Sequence, residues 1–123
     1  HSFLRMSPLT RRLIRSIDWA TAAQRRLANY HLLHAALGPI NRLNLPAAPT
    51  SAPMCYPLVC GIPDLRDELI DSGIALPLYW PEVIAATTPE QPENLLARTL
   101  LPLPIDQRYS TADMQRLIQL ILG

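Results

Sequence analysis

The sequence has no lysine: all eleven of its basic side chains are arginine. Without an ε-amine the chain cannot form an internal Schiff base, supply a Walker-type phosphate lysine or use a lysine as general base. Several enzyme classes are thereby excluded for this polypeptide taken alone. Glycine is scarce, at four residues against thirteen prolines, so stiff corners outnumber flexible ones and no glycine-rich loop can cradle a phosphate. No stretch reaches the roughly 18 apolar residues of a membrane span. The opening His1-Ser2-Phe3-Leu4-Arg5 does not read as a signal peptide, and the missing initial methionine suggests a processed or excised piece. The net charge of +1 gives no reason to expect a nucleic acid or a membrane as partner. There are two cysteines, Cys55 and Cys60, five apart in a strand-like run. Their side chains then point to opposite faces, which makes a disulfide improbable and fits a reducing, cytoplasmic setting.

What is present suits one domain spanning 1–123, with leading helices over 7–38 and a sheet-and-helix core over 54–122. At 123 residues, 49% hydrophobic and 17% charged, such a chain buries about two thirds of the surface its unfolded form exposes. That composition is apolar for its size, so either the core is large or some apolar surface meets a partner.

Ser7 before Pro8 is a helix start, running to about Ile17. Asp18 restarts a helix as N-cap, and Ala23, Leu27, Tyr30, His34 and Leu37 recur at helical spacing until Gly38 and Pro39 close it. The opposite face carries Arg25, Arg26 and Asn29, read as a solvated face or one that docks on another domain. Proline punctuates an irregular crossing to Pro53. Met54 to Cys60 reads as a strand with Tyr56, Leu58 and Cys60 on one face, and Pro57 argues for an edge. Pro63-Asp64-Leu65 opens a short helix that Gly73 ends with a positive φ. Ile74 to Trp80 reads as a second strand, stopped by Pro81, and Glu82 to Pro92 as a loop. Leu95 to Arg98 reads as one helical turn, and Thr99 to Leu103 as a third strand with limited pairing. Ser110 with Asp113 starts a last helix in capping-box fashion, with Met114, Leu117, Ile118 and Ile121 as its apolar stripe. The expected fold is α+β, a small mixed or antiparallel sheet of about three strands covered by helices.

Chemistry is thin. His31 and His34 lie at a spacing that metals use, but no acid or cysteine within a turn completes a set, and His1 is remote in sequence. Asp64, Asp67, Glu68 and Asp71 share one short helix and read as its solvated face. No nucleophile elbow frames a serine. The candidate that remains is Tyr79-Trp80-Pro81, two large aromatics before a proline, which suit either the wall of a cleft or ordinary packing onto two sheet faces. No catalytic, cofactor-binding or metal-binding residue is assigned.

The order of motifs resembles the small C-terminal domain of the DegT/DnrJ/StrS family, pyridoxal-phosphate-dependent sugar aminotransferases of fold type I. Gln24-Arg25-Arg26-Leu27-Ala28-Asn29-Tyr30 resembles the helix that opens that domain, and Cys55-Tyr56-Pro57-Leu58-Val59 its first core strand. Asp64 to Ile74 is similar to its Arg-x-x-Leu helix with Gly-Ile exit, and Leu100 to Ile105 with Ser110 to Met114 to its Leu-Pro-Leu strand and final helix. The match covers about residues 7 to 122. The resemblance implies a domain whose missing large N-terminal partner carries the lysine and the pyridoxal phosphate, in an enzyme that moves an amino group to a keto group and is expected to be a homodimer. It places Tyr79, Trp80 and Pro81 as a substrate-side wall. The family's His-Tyr-x-Pro reads Tyr79-Trp80-Pro81 here, and the absent histidine argues against the usual nucleotide-sugar substrate. Two other readings stay open: a stand-alone interaction module, and a degenerate family member without transamination.

Overall fold

The computed structural model describes residues 5–123. The start read for signal character, and His1 with it, lies outside the described residues. Two helices lead the chain. Helix α1 (Pro8–Arg15) begins where expected, with Ser7 Oγ accepting the Thr10 N–H at 3.1 Å and Pro8 in the first helical turn. Helix α2 (Trp19–Leu37) starts at Asp18, whose carboxylate accepts the N–H and the hydroxyl of Thr21. It passes at Gly38 into a 3-10 turn, Gly38–Ile40.

The centre is a two-stranded antiparallel sheet of β1 (Cys55–Leu58) and β2 (Leu101–Pro104), in register Cys55 to Pro104 and Leu58 to Leu101. Proline dictates how these strands pair. Pro57 faces Pro102, and Pro104 faces Cys55, so these cannot be the pairs that exchange N–H···O bonds. Tyr56 with Leu103 and Leu58 with Leu101 must be. The prolines therefore occupy the alternate positions, whose N–H groups would point to the sheet's outer edges. Both edges are short of donors.

That shortage explains the correction the structure makes to the strand count. Ile74 to Trp80 has no regular secondary structure and pairs with no strand, and among the described residues the sheet has two strands rather than three. A guanidinium takes the place of the missing ladder. Arg66 donates through Nη2 to the Leu100 carbonyl at the head of β2, with longer contacts from Nη1 to the carbonyls of Leu76 (3.4 Å) and Pro77 (3.5 Å). Burial lowers the Arg66 pKa, and its Nε is enclosed without a partner.

Helix α3 (Leu65–Asp71) ends as expected: Gly73 adopts φ +86°, Ile74 N–H reaches Leu69 O and Gly73 N–H reaches Ile70 O, both at 2.9 Å. This double bond pattern satisfies the last carbonyls of the helix. Residues 81–99, expected to be mostly loop, hold two helices instead, α4 (Pro81–Ala86) and α5 (Pro92–Thr99). Each opens on a proline, so Pro81 starts a helix rather than stopping a strand. Helix α6 (Thr111–Leu122) has the expected capping box.

The core joins α2 (Tyr30, Leu33, Leu37), the inner face of the sheet (Tyr56, Leu58, Leu101, Leu103), α3 (Leu65, Leu69), Leu76, Ile105 and α6 (Met114, Leu117, Ile121). Both cysteines are free and half-buried, and burial pushes the Cys55 thiol pKa up. Asn29 is a further correction. It lies on the face read as solvated or docking, yet it is 1% exposed. Its Nδ2 donates to the carbonyls of Ile105 (3.1 Å) and Tyr109 (3.2 Å), with a longer contact to that of Asp106. Arg26 beside it donates to Gln107 Oε1 at 3.2 Å. That face of α2 holds the turn between β2 and α6.

Candidate functional site

Tyr79, Trp80 and Pro81 sit together at the entry to α4, and the backbone there is unusual. Trp80 has φ +55° and ψ +52°, the left-handed region that a bulky residue rarely adopts. The turn is closed by the Val83 N–H donating to the Trp80 carbonyl at 3.0 Å. Pro81 requires its predecessor to leave the right-handed helical region, and the left-handed well is one way out. The Trp80 side chain is 52% exposed, while Tyr79 is half-buried. Their rings lie 5.6 Å apart between centroids, tilted by 58°. The pair is thus an aromatic lip on the surface, not the two-faced packing of a strand.

Behind the lip, residues 81–99 form a small lobe in which α4 packs on α5. Asn94, buried on α5, fastens it: Nδ2 donates to the carbonyls of Ile84 and Thr87 at 3.1 Å and to Thr87 Oγ1 at 3.0 Å. Asn94 Oδ1 is enclosed without a partner. Leu78, Leu95 and Leu96 are exposed on this part of the chain.

The larger hollows lie elsewhere. One of about 590 Å³ is lined by His34, Asn41, Arg42 and Asn44 with Gly38 and Leu45; two of about 260 and 240 Å³ meet at Cys60 and Thr99. None of these is lined by Tyr79, Trp80 or Pro81.

The two histidines of α2 do not converge. His31 is exposed, whereas the His34 ring stacks on Tyr30 (5.6 Å, 18°) and its Nδ1 is 3.2 Å from the buried Tyr56 hydroxyl. Asn41 Nδ2 donates to that same hydroxyl at 3.4 Å, and the His34 tautomer sets which of imidazole and hydroxyl donates in the bond between them. Tyr30 donates to the Pro46 carbonyl at 2.7 Å, and burial raises its pKa. Asn41 also donates to Pro57 O and accepts from the N–H groups of Leu43 and Val59. It binds the irregular crossing to the end of β1. This polar cluster is structural: apart from the local bond from Leu43 N–H, its hydrogen bonds tie one segment of the fold to another. Sequence reasoning missed it because no spacing rule joins His34 to Tyr56.

Among the described residues no three of His, Cys, Asp and Glu come together to hold a metal. Asp64, Asp67, Glu68 and Asp71 are all exposed. Asp106 holds a salt bridge with Arg108 at 2.8 Å, and hydrogen bonding from that guanidinium lowers its pKa. A scan against family models finds no match for the chain, and a search of curated proteins finds none either.

Proposed function

We propose that the chain is the small C-terminal domain of a pyridoxal-phosphate-dependent aminotransferase of the DegT/DnrJ/StrS type. It closes one side of the active-site cleft, braces the large domain and carries no catalysis itself. The observation behind this reading is the lip at Tyr79 and Trp80. A left-handed non-glycine residue costs about 1–3 kcal/mol, and the half-exposed Trp80 ring does little within its own domain to offset that strain. Strain held at an exposed aromatic suits a group that meets something outside the domain. Here it would form a wall that excludes water from a cleft completed by the large domain.

The chain's own residues do not fit the cofactor as a resident group. There is no lysine to anchor it. No chemical step is assigned to these residues; the parent, a cytoplasmic homodimer in this reading, would carry the chemistry on its other domain. The exposed Leu78, Leu95 and Leu96 favour one alternative, a stand-alone module that docks on another protein.

The test is spectroscopic. Pyridoxal phosphate titrated into the isolated chain should give no specific bound-cofactor absorbance. Fused behind the large domain of a DegT-type aminotransferase, the chain should restore transamination, and Trp80→Ala should lower kcat/KM there without loss of folding. A tight, reversible cofactor spectrum from the isolated chain would remove the supporting-domain reading. A folded, cofactor-loaded fusion that Trp80→Ala does not affect would remove the wall.

A further inference from the structure

We propose that α1 docks on an anionic phospholipid surface. None of its residues is buried, and the side-chain bond that ties it to the next element is the one from the Trp19 indole to the Ile14 carbonyl. A free helix of eight residues is far below the length that holds in water, so local caps alone do not account for it. At 3.6 residues per turn, Leu9, Leu13, Ile14 and, just beyond the helix, Ile17 fall within an arc of about 140°. Arg11, Arg12 and Arg15 fall within about 100° on the other side. Leu9 is 68% and Leu13 58% exposed. Trp19 stands beside the apolar end, its indole Nε1 donating to the Ile14 carbonyl at 3.2 Å and its ring largely exposed.

Charge selects the occupant. The net charge of +1 conceals that Arg5, Arg11, Arg12 and Arg15 are followed by the first acid only at Asp18, which is engaged in capping α2. A second copy of the chain offers a poor match. The acidic helix α3 would complement the arginines, but it exposes one large apolar residue, Ile70, against the four of the apolar arc. A bilayer interface supplies both parts, an acyl boundary for the apolar arc and phosphates for the guanidiniums, with tryptophan at the headgroup level. At about 12 Å the helix lies in the interface and does not cross it. This inference uses neither Tyr79 nor Trp80 and is independent of the aminotransferase reading.

The test uses the full chain with Trp80→Phe, which leaves Trp19 as the one tryptophan. On vesicles of phosphatidylcholine mixed with phosphatidylglycerol, Trp19 emission should shift to the blue and the chain should sediment with the lipid. Affinity should exceed that for pure phosphatidylcholine by about tenfold or more and fall with added salt. R11Q/R12Q/R15Q should reduce binding to the phosphatidylcholine level, and L13S/I17S should abolish it. Neither set should move the thermal midpoint, because α1 contributes nothing to the core. Absence of binding, equal binding to both vesicles, arginine variants that bind like the parent, or an α1-dependent dimer that ignores vesicles would each overturn the proposal.

Discussion

Replacing Asn29 by alanine should destabilise the domain by about 2–4 kcal/mol. The side chain is 1% exposed and gives two well-formed hydrogen bonds, to Ile105 O at 3.1 Å and Tyr109 O at 3.2 Å, besides the longer contact to Asp106 O. The bond to the part-buried Tyr109 carbonyl contributes about 1 kcal/mol net, and the buried Ile105 carbonyl left without a donor costs about 1–3 kcal/mol. Against a total of about 5–15 kcal/mol for a domain of this kind, that is a large share. Urea unfolding followed by circular dichroism reads the loss as a lower midpoint at unchanged slope. Hydrogen exchange should quicken first between residues 105 and 109. Asn29→Asp is the sharper variant, since it keeps the shape and turns an acceptor toward three carbonyl oxygens. Its folded-state pKa must be raised, so the variant is least damaged at low pH and loses stability as pH rises through that value. Arg25→Ala, at an exposed position one turn away, should stay within about 0.5 kcal/mol. An Asn29→Ala protein as stable as the parent, or an Asn29→Asp protein indifferent to pH, would refute the account of α2 as the clamp on this turn.

Other substitutions separate the remaining parts of the argument. Trp80→Gly should change stability by less than about 1 kcal/mol in the same urea assay, because relief of left-handed strain offsets the packing lost; a loss of the 3–5 kcal/mol typical of a buried tryptophan would show that the ring belongs to the core. Arg66→Met should cost about 2–3 kcal/mol and loosen the segment around Leu76, measured by hydrogen exchange, since the carbonyl of Leu100 then lacks its guanidinium donor. Acidification should weaken the domain through Asp106, whose pKa is lowered first by its hydrogen bonds from Arg108. A lowered folded-state value means a contribution that is present above the ordinary carboxylate pKa near 3.8 and lost as pH falls below it. Arg108→Ala should flatten that part of the pH–stability curve.

The helices that carry their own punctuation were legible in the sequence. Ser7 with Pro8, Asp18, Gly73 and the Ser110–Asp113 box each act within a few residues of themselves, and each stands where expected. Proline was legible as a limit on pairing and, at Pro8, as a helix opener, but not as the opener of α4 or α5. Pro81 was read as the end of a strand and Pro92 as part of a loop, whereas both start helices. The run Ile74 to Trp80 has strand composition, and what decides against a strand is the neighbouring edge. Pro102 and Pro104 leave β2 without outward N–H groups, a property of the partner and not of the run.

The need for donors where segments meet also explains why Asn29 was misjudged. A fold that spends proline at positions 57, 77, 102 and 104 loses backbone donors at the places where its segments meet. Carbonyls where segments meet are met by side chains: Asn29 at residues 105 and 109, Asn41 at Pro57, Asn94 at Ile84 and Thr87, Arg66 at Leu100. A primary amide brings two N–H groups on one short stem, which suits it to bridging carbonyls from different turns of chain. Nothing local marks such a residue, because Asn29 and Ile105 are 76 positions apart, so in a sequence it looks like one more polar residue on a helix face. The candidate site was legible to the same degree and for the same reason. Tyr79 and Trp80 could be picked out as unusual, but the left-handed turn that brings the indole to the surface arises from Pro81 opening a helix. Read as the terminator of a strand, that proline gave Tyr79 and Trp80 the wrong backbone.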